Sequence, residues 1–265
     1  ISTMANWPIT IEDTGGLGPI TVVTPPGRQT VTPASLMAVA SIGTNADLLR
    51  GRGIDWGAGT GLLTIAAALV HDVDLVLGLE LGAVDIPVAR ANAVRNGVGD
   101  TTRFINADSF RAVDPAEQPS IDALRGRADF LVANPPASPT GDGLGWRREA
   151  LRSALDFLVP GAPVLLQISY QYSSARITGL VDDVPGYVYE GLAGTTGWMP
   201  FDQSRDDLAD HLIAYARVEE AGGVPYTFSD GADGHLSATE ALEQCRATGE
   251  SPRSKWQMHH YRRAG

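Results

Sequence analysis

The chain has 265 residues, 43% of them apolar and 19% charged, which is enough to bury the core of one α/β domain with a small accessory lobe and excludes global disorder. The formal net charge of -11 argues against a nucleic-acid substrate, whose binding surface is normally basic, and fits a small-molecule or peptide partner. No apolar run is long enough for a transmembrane helix, the first residues lack a basic-then-apolar leader, and the single cysteine, Cys245, allows no internal disulfide and reads as an ordinary helix residue, so a cytoplasmic location is expected.

Ile1-Ser2-Thr3 ahead of Met4 is open between native sequence and an expression remnant. Ile20–Val23 and Gln29–Thr32 flank Pro25-Pro26-Gly27, a pattern that predicts a hairpin. Thr32 or Ser35 then caps a short helix through Leu36 and Val39. From position 51 strands and helices alternate. Ile54-Asp55-Trp56 ends a strand, Leu62–Val70 is a buried helix, Leu75–Glu80 a strand, and Ala83–Arg95 a helix closed by Asn96-Gly97. Phe104–Asn106 and Asp129–Asn134 are further strands, Arg147–Leu158 an amphipathic helix, and Ala162–Ser169 a fifth strand. Near-continuous apolar strands joined by helices imply a doubly wound parallel sheet. Towards the C-terminus the pattern predicts a helix at Arg205–Ala221, a strand at Val224–Phe228, a helix at Ser237–Ala247 and a last strand at Trp256–Arg262.

The segment carrying the most chemistry is Gly53-Ile-Asp-Trp-Gly-Ala-Gly-Thr-Gly61, between a strand and a helix. Glycines there let the backbone approach a ligand that a Cβ would hold off, and they aim a helix N-terminus at it. The nicotinamide fingerprint G-x-G-x-x-G/A, counted from Gly57, needs a small residue at position 62, which is Leu62; the third glycine falls one place early, at Gly61. Asp55, two residues before Gly57, suits a cationic amino-acid moiety and would repel a diphosphate. Glu80 stands at the end of the second strand, 23 residues after Gly57, where a carboxylate can hold both hydroxyls of a ribose. Asp108 and Ser109 follow the third strand, where Asp108 by itself reads as a helix cap. The fourth strand ends in Asn134-Pro135-Pro136-Ala137: two prolines stiffen the turn, and the Asn134 amide oxygen and the Pro135 carbonyl are candidates to hold N–H groups of an amide or amine.

The G-x-G-x-G loop with its preceding acid resembles motif I of the class I S-adenosylmethionine-dependent methyltransferases. The Asn-Pro-Pro turn, followed by Asp142-Gly143-Leu144 and by Phe157 to Ile168, resembles the release-factor glutamine N5-methyltransferase and N6-adenine methyltransferase group over roughly residues 20 to 170. The resemblance implies a Rossmann-like sheet of seven strands with the last antiparallel, and S-adenosyl-L-methionine as cofactor. It implies cofactor contacts at Asp55, Trp56, Gly57, Gly59, Gly61, Glu80, Asp108, Ser109 and Asn134, with Asn134 and Pro135 at the reacting centre. Ala137 replaces the usual aromatic of that motif, and the helical domain that grips release factors has no counterpart. Ala137, Trp146 and Trp198 are the candidate substrate contacts. His259-His260 lacks a third ligand, so no metal site is expected. The expected organisation is a hairpin and helix over 1–47, the cofactor-binding core over 48–170, and a part over 171–265 that completes the sheet and lids the substrate. The expected reaction is N-methylation of a small molecule or a protein side chain, with base methylation of a nucleic acid and small-molecule O-methylation as the alternatives.

Overall fold

The computed structural model describes residues 8–25, 31–231 and 234–265. Its centre is a mixed sheet whose first five strands run parallel: β1 (Gly51–Trp56), β2 (Val73–Glu80), β3 (Thr102–Asp108), β4 (Phe130–Ala133) and β5 (Pro163–Gln167). Two more strands, β6 (Tyr187–Thr195) and β7 (Gln257–Arg263), complete one side, in the spatial order 3-2-1-4-5-7-6. β7 runs antiparallel to both neighbours, as expected for the last strand. An eighth, two-residue strand, Arg111–Ala112, folds back on the end of β3 and extends the expected seven.

The middle strands are buried along most of their length because they are covered on both faces; Ile54 of β1 pairs with Leu77 of β2 and Leu131 of β4, and all three are inaccessible to solvent or nearly so. Helix α1 (Pro33–Thr44) starts from a capping box: Thr32 accepts from the Ser35 backbone N–H, and Ser35 accepts from that of Thr32. Helix α2 (Leu62–Ala68) is buried at every residue and packs on β1, β2 and β4. Helix α3 (Ile86–Arg95) carries Asn92, whose amide exchanges hydrogen bonds with the backbone of Val23 and also donates to the Thr60 carbonyl, tying the N-terminal segment to the glycine loop. Helices α4 (Gly145–Ala154), α5 (Ser173–Asp183), α6 (Asp206–Glu220) and α7 (Ala238–Thr248) follow.

Three expectations differ from the structure. Ile20–Val22 pairs antiparallel with Ile9–Ile11, while the turn at Pro26-Gly27 and the start of the expected second arm at Gln29-Thr30 lie outside the described residues, as does Ile1-Ser2-Thr3. The strand expected at Val224–Phe228 is reduced to Phe228–Ser229. Pro225 has no donor, the Tyr226 N–H goes to the Glu219 carboxylate and that of Thr227 to the Gln171 carbonyl, so no ladder forms there. Conversely α5 and β6 occupy a stretch in which no element was expected. Cys245 sits within α7. Among the described residues no helix is long and apolar enough to cross a membrane, and no group of three or more His, Cys, Asp and Glu side chains is placed to hold a metal ion.

Candidate functional site

Parallel pairing puts the carboxyl ends of β1 to β5 along one edge of the sheet, with Trp56 level with Leu79 and Ala133, and Ala133 level with Leu166. Two cavities open beyond that edge, the usual ligand position in open α/β sheets. One, of about 300 Å3, is lined by Asp55, Gly57, Gly59, Thr60, Asn134 and Ala137 together with side chains from the C-terminal half. The other is lined by Trp56, Glu80, Asp108, Ser109 and Trp146. Gly57 and Pro136 line both, so the two adjoin at these residues, side by side in the cleft along the sheet edge.

The glycine loop divides its labour. At Gly57 and Gly59 φ is +78 and +53, and a Cβ at either would project into open space, the side from which a ligand approaches. Gly61 faces the other way. A Cβ there would lie 3.0 Å from the Phe104 ring and 3.2 Å from Ala89, so this glycine serves the packing of helix on sheet and lines neither cavity.

Asp55 is almost wholly buried on the wall of the first cavity. Its Oδ2 accepts from the Thr64 hydroxyl at 2.7 Å, while Oδ1 has no hydrogen-bond partner among the described residues. Burial pushes its carboxyl up to about 7; the Thr64 bond opposes the shift and the Glu80 charge adds to it. The buried Thr60 hydroxyl beside it is likewise without a partner among the described residues. Two orphaned polar atoms in a cradle that a Cβ would fill are the signature of groups reserved for a ligand.

On the second side the Glu80 carboxylate accepts from the Gly59 N–H at 2.7 Å and the Gly82 N–H at 2.6 Å, which locks it across the glycine loop and its own strand end. Asn106 supports it by donating to the carbonyls of Glu80 and Leu81. Asp108 is exposed at the end of β3. Ser109 takes a left-handed conformation, φ 54, and its hydroxyl accepts from the Trp56 indole at 2.9 Å. A non-glycine residue held there is strained and is fixed by that bond across the sheet edge.

The Asn134 side chain lines the first cavity and makes no hydrogen bond to any described residue. Pro135 is differently placed. Its carbonyl accepts from Nη2 of Arg147 at 3.0 Å, and the Pro136 carbonyl accepts from Nη1 at 3.0 Å. Arg147 is buried on α4 and also donates to the carbonyl and the side chain of Gln167 at the end of β5, with its guanidinium 5.5 Å over the Tyr172 ring. A planar fork of donors thus clamps the Asn-Pro-Pro turn to the neighbouring strand. Among the substrate candidates, Ala137 lines the first cavity and Trp146 the second, whereas Trp198 lines neither and packs on Tyr170 under Lys255. His259 is buried, bonded to the Ile168 carbonyl and the Tyr189 hydroxyl, and burial lowers it to about 4.

The family model of ribosomal protein L11 methyltransferase (PrmA) matches residues 27–139. The release factor glutamine methyltransferase of Chlorobaculum tepidum is 33% identical over 99 residues, covering 37% of this chain and 32% of that protein. The ribosomal protein L11 methyltransferase of Thermus thermophilus is 32% identical over 164 residues, 62% of this chain and 51% of its own length. Over the glycine loop and the strands around it the chain is thus similar to methyltransferases. In fold it superimposes on the Thermus thermophilus 16S rRNA N2 G1207 methyltransferase solved with AdoMet and guanosine, with a TM-score of 0.54 at 20% identity over 70% of this chain and 47% of that one. The chain spans from about a third to about half the length of these relatives. The orphaned Asp55 oxygen and the open faces of Gly57 and Gly59 fit a ligand such as the AdoMet with which that rRNA methyltransferase was solved.

Sequence reasoning missed Asn106 and Arg147, which act on the backbone of residues it did single out. It also missed the cavity wall from α6. There Asp207, Leu208, His211 and Tyr215 recur at helical spacing, a signal that marks one face without saying what it faces.

Proposed function

We propose that this chain transfers the methyl group of S-adenosylmethionine to a nitrogen of a small molecule or of a protein side chain. The observation that carries this reading is an unengaged Asn134 amide in the same cavity as the orphaned Asp55 carboxylate and the open faces of Gly57 and Gly59. In this reading Asp55 holds the cofactor's ammonium group, Glu80 its ribose hydroxyls, and Asp108 with Ser109 its adenine, while Trp56 and Trp146 wall the nucleoside side. Asn134 holds an N–H of the acceptor so that its nitrogen faces the methyl group, and Pro135 keeps the turn rigid under the Arg147 clamp. Ala137 leaves space at the acceptor end. Residues 1–47 and 171–265 then cover and complete a core at 48–170.

The cofactor supplies a methyl group already activated by its positive sulfur. What remains for the protein is alignment and exclusion of water, effects worth on the order of 7 kcal/mol or more in well-oriented systems. The relatives named for ribosomal protein L11 and for release-factor glutamine make protein side chains the first acceptors to test. An rRNA N(6)-adenosine methyltransferase of Caenorhabditis elegans is also similar, 28% identical over 123 residues, but the net charge of -11 favours a protein or small-molecule acceptor over RNA. A cytoplasmic location goes with this reading as an expectation.

Calorimetry with S-adenosylhomocysteine, and labelled S-adenosylmethionine offered with proteins, peptides, amines and amides, tests the reading. Asn134→Ala is expected to keep the cofactor affinity and to lose about 10²-fold in turnover. Full turnover in that variant removes the role given to Asn134, and an absence of binding heat in the wild type removes the reading.

A further inference from the structure

The acceptor end of the first cavity is built by residues far from the glycine loop: Gln167 at the end of β5, Ser169, Gln171 and Tyr172 after it, Trp256 before β7, and one face of α6. Most polar groups there are committed. The Arg147 guanidinium is spent on three backbone carbonyls and Gln167, the Tyr172 and Tyr215 hydroxyls bond each other at 2.7 Å, and Arg205 pairs with Asp207 at 2.7 Å. His211 is the exception. It is half-buried on the cavity wall, its ring lies parallel to Tyr215 at 6.0 Å and 13°, and neither nitrogen has a hydrogen-bond partner among the described residues. Asn134, equally uncommitted, lines the same cavity.

We propose that His211 is the base that takes a proton from the methyl acceptor, so that an acceptor atom is held between an N–H or O–H acceptor on each side, Asn134 and His211. The proposal rests on the methyl-transfer reading above; it narrows the nitrogen acceptors to aliphatic amines, protonated in water, and extends the class to hydroxyls, since both must shed a proton to attack. A carboxamide nitrogen falls outside this class, because its lone pair is delocalised into the carbonyl and its N–H is far too weak an acid for an imidazole to take.

The electrostatics agree. Burial is the largest influence on His211 and lowers its affinity for a proton, with Arg147 and Arg205 acting in the same direction and Asp207 and Asp210 against. Tyr215 on its own helix and Tyr172 opposite are themselves pushed upward by burial and stay neutral. The imidazole is therefore a free base at neutral pH. In the step, a proton passes from the acceptor nitrogen or oxygen to His211. The lone pair left behind bonds the methyl carbon, the carbon–sulfur pair returns to sulfur, and His211 later gives its proton to water.

The test uses the full chain, labelled S-adenosylmethionine and a panel of alkylamines, aliphatic and phenolic alcohols, and carboxamides. The wild type is expected to methylate an amine or an alcohol, with turnover falling on the acid side as His211 protonates. His211→Asn and His211→Gln should lower kcat by about 10²-fold or more with little change in KM, and should lose that acid limb. Both should bind S-adenosylhomocysteine within about twofold of wild type, which shows that they fold. His71→Gln, at an exposed histidine just before β2 and so at the opposite end of the strands from the cleft, should match wild type. Transfer to carboxamides alone, no transfer to any amine or alcohol, near-wild-type kcat in both variants, or an acid limb in kcat at saturating S-adenosylmethionine that survives them each overturns the proposal. Loss of S-adenosylhomocysteine binding in the wild type is a separate failure, that of the cofactor reading.

Discussion

The two ends of the cleft are made differently. The cofactor end comes from three consecutive strand–loop units within residues 51–109, and two of its three carboxylates are tied down by backbone or a near neighbour, Asp55 by Thr64 and Glu80 by Gly59 and Gly82, while Asp108 is exposed. The acceptor end draws on residues 134–137, 147, 167–172, 201–215 and 256, and its shape depends on contacts between elements distant in sequence, such as Arg147 with Gln167 and Tyr172 with Tyr215. A local site of the first kind is preserved whenever the motif is; a composite site of the second kind changes with any of its contributors. The contrast explains how relatives with a similar core are named for such different acceptors.

This contrast can be broken by substitution, beginning at the cofactor end, where the largest effect is expected. Asp55→Asn should weaken S-adenosylhomocysteine binding by about 10²-fold or more, since it removes the charge opposite the ammonium group. The same change should stabilise the ligand-free protein above neutral pH, because it also removes a buried charge; calorimetric affinity and thermal midpoints check the two halves. At the acceptor end Arg147→Met should cost about 2–4 kcal/mol of unfolding free energy, because three buried carbonyls lose their donor, and denaturant melts measure it. Cofactor affinity should change far less there than turnover.

A pH series sharpens the comparison. A carboxyl held at about 7 binds more protons folded than unfolded, so its contribution to the stability of the ligand-free protein is full below the ordinary carboxyl range and is lost as pH rises from about 4 to about 7. Cofactor binding needs the ionised form, so affinity should fall by up to about tenfold per pH unit below 7. Asp55→Asn should flatten both curves. The smallest effect belongs to Trp198→Ala: away from both cavities, it should leave turnover within about twofold of wild type in the acceptor assay.

Legibility in the sequence follows the same division. Strands covered on both faces read as unbroken apolar runs, so β1 to β5 were placed to within a few residues, and with them the positions of the residues at their ends. β6 was not placed because it is an edge strand: Val188 and Leu192 are exposed and two glycines interrupt its alternation. The Val224–Phe228 segment carries strand-forming residues, but Glu219 draws the N–H groups of Tyr226, Ala238 and Thr239 to one carboxylate, and local propensity gives way to that knot. Arg147 reads in the sequence as one more charge on an amphipathic helix. Nothing in its spacing says that it is buried, or that its partners are carbonyls of a proline turn 11 and 12 positions earlier.

The position of β7 bears on how such a chain reaches its native state. Residues 257–263 lie between 163–167 and 187–195, so β5 and β6 have no hydrogen-bonded neighbour in common until this late segment arrives. During synthesis the cofactor half can collapse early, while two open strand edges wait for the final insertion, and it is in that interval that a chaperone or a neighbouring nascent chain would compete for the gap.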